Sequence, residues 1–129
     1  MPELHGNNFR ETKPTIVLNS DSTKLGTVLR SLGEYISQYI KVPSVTKPCV
    51  VTMTVPSGCT VHYTYGPQYP TAKVDNINCF KYTGPITLTN NKAQDGTFIY
   101  AVAFENDGSG VPMSNPQSNV VIANFKINK

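Results

Sequence analysis

Residues 97–105 read Thr-Phe-Ile-Tyr-Ala-Val-Ala-Phe-Glu. In an extended chain, successive side chains point to opposite faces. Phe98, Tyr100, Val102 and Phe104 then share one face, and Ile99, Ala101 and Ala103 the other. The run predicts a strand with apolar residues on both sides. The same period of two returns through most of the chain. Val51, Met53 and Val55 alternate with Thr52 and Thr54, and Val61, Tyr63 and Tyr65 with Thr60, His62 and Thr64. Val121, Ala123, Phe125 and Ile127 again share a face. Shorter strands are predicted at Phe80–Tyr82, Ile86–Thr89 and Val111–Ser114. Turn signals separate them: Pro56-Ser57-Gly58, Thr83-Gly84-Pro85, Asp95-Gly96 and Asn106 to Gly110. Short strands at such spacing, divided by turn residues, argue for an antiparallel β-sandwich.

Composition agrees with that reading. Of 129 residues, 10 are proline and 9 glycine, and only 15% are charged. The polar surface is therefore built from Thr, Asn, Ser and Gln, as suits a turn-rich β protein. The length predicts one domain with an added arm. A net charge of +3, with its lysines and arginines scattered, gives no basic face for nucleic acid. The apolar runs are too short to span a membrane as a helix. The first residues lack the basic and apolar regions of a signal peptide, and the leading Met points to cytoplasmic synthesis. Cys49, Cys59 and Cys79 form no Cys-x-x-Cys pair. An odd number without metal spacing reads as free thiols in a reducing compartment.

The first 42 residues have a different character. Pro2, Gly6, Asn7, Asn8 and Pro14 break periodicity, so residues 1–20 read as an extended arm, with Thr15 to Leu18 able to pair as a strand. Asn19-Ser20-Asp21-Ser22 then offers N-cap residues, whose short side chains accept from the free amides of a first helical turn. Leu25, Val28, Leu29, Leu32, Tyr35, Ile36, Tyr39 and Ile40 follow at helical spacing. This predicts one amphipathic α-helix ending at Val42-Pro43, because the residue before proline avoids the α region. Such a stripe cannot stay in water. Docking on a partner or on a second copy is the expectation preferred here, with packing on the chain's own sandwich as the alternative. The division predicted is an anchor at 1–42 and a sandwich at 43–129.

Candidates for chemistry are sparse. His5 and His62 form no pair with a nucleophile, and no ligand cluster has metal spacing. Gly108-Ser109-Gly110 lacks the lysine of a phosphate loop and reads as a turn. No catalytic residue, cofactor or metal is therefore expected. Tyr63 and Tyr65 share the apolar face of a strand with Val61 and are expected at the core or its rim. Tyr69 is the ring expected to face a ligand.

Three blocks carry a resemblance. They are Val-His-Tyr-Thr followed by Tyr69-Pro70-Thr71, then Tyr82-Thr83-Gly84-Pro85-Ile86, then Tyr100-Ala101-Val102-Ala103-Phe104. In this order they resemble the Ig-like or fibronectin-III-like module found at the C-terminus of chitobiases and β-hexosaminidases, over residues 43–127. Gly66-Pro67 stands where that family has Asp-Gly, so no role of its aspartate carries over. The resemblance implies an assembly or accessory module and not an enzyme. The whole chain resembles a phage virion accessory, a capsid decoration or head-fibre protein. This implies synthesis in a host cytoplasm, residence in the virion, and capsid or other virion subunits as partners, with self-association into an oligomer. The alternative is a carbohydrate-binding or spacer module of a secreted glycoside hydrolase or surface protein.

Overall fold

The computed structural model describes residues 9–25, 27–29, 44–66, 68–94 and 96–128. Among these residues a short 3-10 turn, Phe9–Glu11, precedes eleven strands. These are β1 (Ile16–Leu18), β2 (Asp21–Leu25), β3 (Thr27–Leu29), β4 (Ser44–Val45), β5 (Cys49–Met53), β6 (Cys59–Thr64), β7 (Cys79–Lys81), β8 (Ile86–Leu88), β9 (Thr97–Asn106), β10 (Pro112–Gln117) and β11 (Val120–Ile127). The protein is mostly β, as the alternation predicts.

One sheet has the order β2-β1-β5-β8 and is antiparallel throughout. The second has the order β3-β11-β9-β6-β7; β10 lies against β9, and β4 runs parallel to β11. Among the described residues an apolar cluster draws side chains from both sheets. The first contributes Ile16, Leu18, Val51, Met53 and Leu88, the second Val61, Tyr63, Ile99, Ala101, Ala103, Val121, Ala123 and Phe125. Burial of these faces is what the period of two demands, since each sheet then places every second side chain out of water.

β9 shows how the two faces are used. Its inward residues are Ile99, Ala101 and Ala103, all fully buried. Small side chains there let the sheets approach. Its larger residues Val102 and Phe104 point to the outer face, yet each is only 1% exposed. The outer face of β6 is also covered, by the segment that follows it. His62 Nδ1 donates to the Thr71 carbonyl at 2.7 Å, and Thr64 Oγ1 donates to the Gln68 carbonyl. A carbonyl can only accept, so the neutral His62 ring carries its proton on Nδ1. His62 is thus an outward residue of its strand but a buried one.

The expected arm is built into the first sheet and the apolar core over its described part. Phe9, Pro14, Ile16 and Leu18 are buried, and β1 pairs with β5 in the register Ile16↔Met53, Val17↔Thr52, Leu18↔Val51. The run read as able to pair does so.

The expected helix is corrected over its first part. Leu25 lies in β2, and Val28 and Leu29 lie in β3. The cause begins at Asn19-Ser20, the pair read as helix caps. Both have positive φ, 52° and 56°, and they join Leu18 to its partner Asp21. That is a type I′ hairpin turn, whose twist matches the strands it connects. Asn and Ser favour caps and turns for one reason, a short side chain that bonds to nearby backbone. Here Asn19 Oδ1 accepts from Val50 N at 2.8 Å, and Asn19 N donates to Val50 O. The turn is thereby fastened to β5 and the chain continues extended. Thr23, Thr27 and Val28 are β-branched and suit the strands that result. Thr27, Val28 and Leu29 pair with Ile122, Val121 and Val120. Leu32, Tyr35, Ile36, Tyr39 and Ile40 lie outside the described residues.

Candidate ligand-facing surface

Two groups of rings lie near the end of the second sheet where β6 finishes and β9 starts. The first belongs to the core. Tyr63 stacks on Phe80 with centroids 5.4 Å apart, and Tyr65 meets both edge-on at 5.8 and 5.9 Å. These are same-face neighbours of a strand pair, since Tyr63 stands opposite Phe80 in register. Lys92 Nζ lies 4.7 Å from the Tyr65 ring centre, closing the cluster with a cation–π contact. Burial pushes the Tyr65 and Tyr63 hydroxyls up from their ordinary range, so both stay neutral. Tyr82 follows β7 and reaches across to the other sheet, its hydroxyl accepting from Met53 N of β5 at 3.1 Å. The rings of Tyr63 and Tyr65 thus do structural work.

The second group faces outward. Tyr100 and Phe98 follow Phe104 and Val102 along the outer face of β9, but the cover stops there. Phe98 is 40% exposed and Tyr100 half-buried. Tyr69, 41% exposed, comes from the segment after β6 and lies with its ring centre 5.6 Å from that of Tyr100, tilted by 48°. Gly66 allows this arrangement. A Cβ there would fall 2.4 Å from Tyr100 Cε1, so only glycine lets the ring lie against the backbone. The next segment is pinned by Thr64 to Gln68 and by His62 to Thr71. Asn124 stands opposite Phe98 on β11.

Tyr69, the ring expected to face a ligand, is therefore exposed, but not alone. Phe98 and Tyr100 join it, and the reading by residue type did not place them there. The available signal was their shared strand face. What it lacked was the fold-back that brings residue 69 onto residue 100.

Elsewhere the loops are braced by carboxylates. Asp75 Oδ1 accepts from the amides of Ile77, Asn78 and Cys79 at 2.6–2.9 Å, which lowers its pKa from 3.8 to about 2. Asp107 accepts from Ser109 and Val111 and is likewise lowered. Asp107, in the predicted turn Asn106 to Gly110, thus acts within that turn. At the end opposite the exposed rings, Asn106 N donates to Gly58 O at 2.9 Å and ties two turns together. Val55 and Val111 are exposed on those turns. Cys49, Cys59 and Cys79 are free and buried. Burial raises the Cys49 and Cys59 thiols, which makes them poor nucleophiles. Among the described residues, no group of three or more His, Cys, Asp or Glu is placed to hold a metal. Comparison of the chain with protein families, with curated proteins and with solved structures finds no match.

Proposed function

We propose that this chain is a structural interaction protein, a virion accessory of the capsid-decoration or head-fibre kind, that displays an Ig-like sandwich. The strand order carries the reading. β1-β5-β8 in one sheet and β7-β6-β9-β11 in the other follow the A-B-E and C′-C-F-G arrangement of an Ig-like module. The parallel pairing of β4 with β11, just ahead of β5, fits the same plan. Braced turns and short outer strands suit a module that is displayed and must not aggregate through its edges. Attachment to the particle is assigned to the apolar residues Leu32, Tyr35, Ile36, Tyr39 and Ile40. Leu25, Val28 and Leu29 are left out of it because they serve the sheets.

Immunogold labelling of density-purified particles from the source culture tests this reading. Regular labelling of particle surfaces is expected. Detection of the chain only in the soluble fraction, with unlabelled particles, would contradict it.

A further inference from the structure

We propose that Tyr69, Tyr100 and Phe98 form a stacking platform for a saccharide, a chain of β-linked hexopyranose rings with equatorial hydroxyls. The inference goes beyond the display reading and does not depend on it. Its starting point is a change along one strand face. Val102 and Phe104 on the outer face of β9 are 1% exposed, whereas Phe98 on the same face is 40% exposed. The apolar cover therefore ends at Tyr100, and from there three rings share one open surface. Tyr100 and Phe98 stand two residues apart, a distance of roughly 7 Å along a strand. Tyr69 lies beside Tyr100, with centroids 5.6 Å apart.

The platform is held before any ligand arrives. Tyr100 lies against Gly66 with no room for a Cβ between them. The loop that carries Tyr69 is fastened on both sides, Thr64 to Gln68 and His62 to Thr71. Few rotamers remain to be frozen on binding, so ring contacts translate into affinity with little entropic loss.

The chemistry of the surroundings selects the ligand class. An aromatic face carries negative charge density and attracts polarised C–H groups. A hexopyranose with equatorial hydroxyls presents C–H groups on its flat faces and hydroxyls around its edge. Asn124, opposite Phe98 in register, and the exposed Gln68 next to Tyr69 place amides beside the rings, and each amide both donates and accepts. A purely apolar partner would leave those amides without bonds. Single-stranded nucleic acid also stacks on rings, but it needs a positively charged groove along its phosphates. Lys126 on β11 and Lys81, opposite His62 on β7, are separated by two intervening strands and form no track.

The test is titration of the full chain with cellohexaose and with chitohexaose, followed by calorimetry and by tyrosine fluorescence, which tryptophan does not mask because the chain has none. Saturable binding of at least one hexaose is expected. Tyr69→Ala and Phe98→Ala should each weaken it by about tenfold, the scale of one lost ring where bases stack on aromatic side chains. Tyr69→Phe, which keeps the ring, should retain binding, as should Val111→Ser at the opposite end of the sandwich. Absence of saturable binding by either hexaose would overturn the proposal. So would binding that Tyr69→Ala and Phe98→Ala leave intact, or a preference for oligothymidylate over both sugars.

Discussion

Asn19 and Ser20 show how much a single residue decides in this fold. Both sit in the left-handed region, which costs most residues roughly 1–2 kcal/mol and Asn less. Ser20→Gly should therefore stabilise the protein by about 0.5–1 kcal/mol, read as a higher midpoint in urea. Asn19→Gly should do the reverse. It removes the side chain that accepts from Val50 N and donates to the Thr46 carbonyl, bonds worth about 0.5–1.5 kcal/mol each. Equal effects of the two substitutions would contradict the turn assigned here.

His62 and Asp75 each contribute to how stability follows pH. His62 has its pKa lowered from 6.5, by burial first and by the Lys81 charge, against the opposing bond to Thr71. The unfolded chain then binds the proton more readily than the folded one. Stability is fully present above pH 6.5 and declines as the pH falls below it. His62→Gln should flatten this decline, measured as the urea midpoint between pH 7 and 5. Asp75 acts lower on the scale. Its lowered pKa adds stability above pH 3.8 that is lost as the pH falls towards about 2. Asp75→Asn should weaken that acid step, leaving the part due to Asp107 and the decline due to His62 in place.

At the scale of elements, the strands of the second sheet were readable because one signal dominates them. Ile99, Ala101 and Ala103 against Phe98, Tyr100, Val102 and Phe104 leave no choice of period, and β11 repeats the pattern. Residues 21–29 carry two signals at once. Leu25, Val28 and Leu29 have helical spacing, while Thr23, Thr27 and Val28 favour strands. Long-range pairing settles the matter, Leu25 with Val17 in one sheet and Thr27 to Leu29 with β11 in the other. Such contacts are invisible to any local window. The same limit hid the outward rings, since Tyr69 meets Tyr100 only after the chain folds back across β6. β1 gives an element-scale prediction. Ile16→Ala should cost about 2–5 kcal/mol, because its side chain is fully buried between the sheets, while Val17→Ala on the half-buried side should cost far less. For a domain of this size the first change lowers Tm on the order of 10 °C. If residues 1–20 were only a tether, neither would move Tm.

For the whole molecule, the consequence is that the N-terminal segment is structure over its described part. β1 occupies the edge of β5, β2 lies outside it, and β3 crosses to the opposite sheet and covers the edge of β11. β2 and β3 are separated by Gly26 alone, so one short stretch contributes to both sheets. β5 and β11 thus receive partners from residues that precede them in the chain, and β2 and β3 become the end strands of their sheets. The proposed attachment and the proposed saccharide surface are also separable. The first rests on residues 32–40 and the second on the outer face of β9, so loss of one function should leave the other intact.

The built-in N-terminal segment is the claim on which the rest of the fold depends, and native-state hydrogen exchange tests it most directly. Amides of β1 and β3 that face their partner strands, including that of Val17, should be protected to a degree approaching that of β9. Exchange of those amides at the rates of an unfolded chain, with β9 still protected, would contradict the account and restore residues 9–29 as a tether.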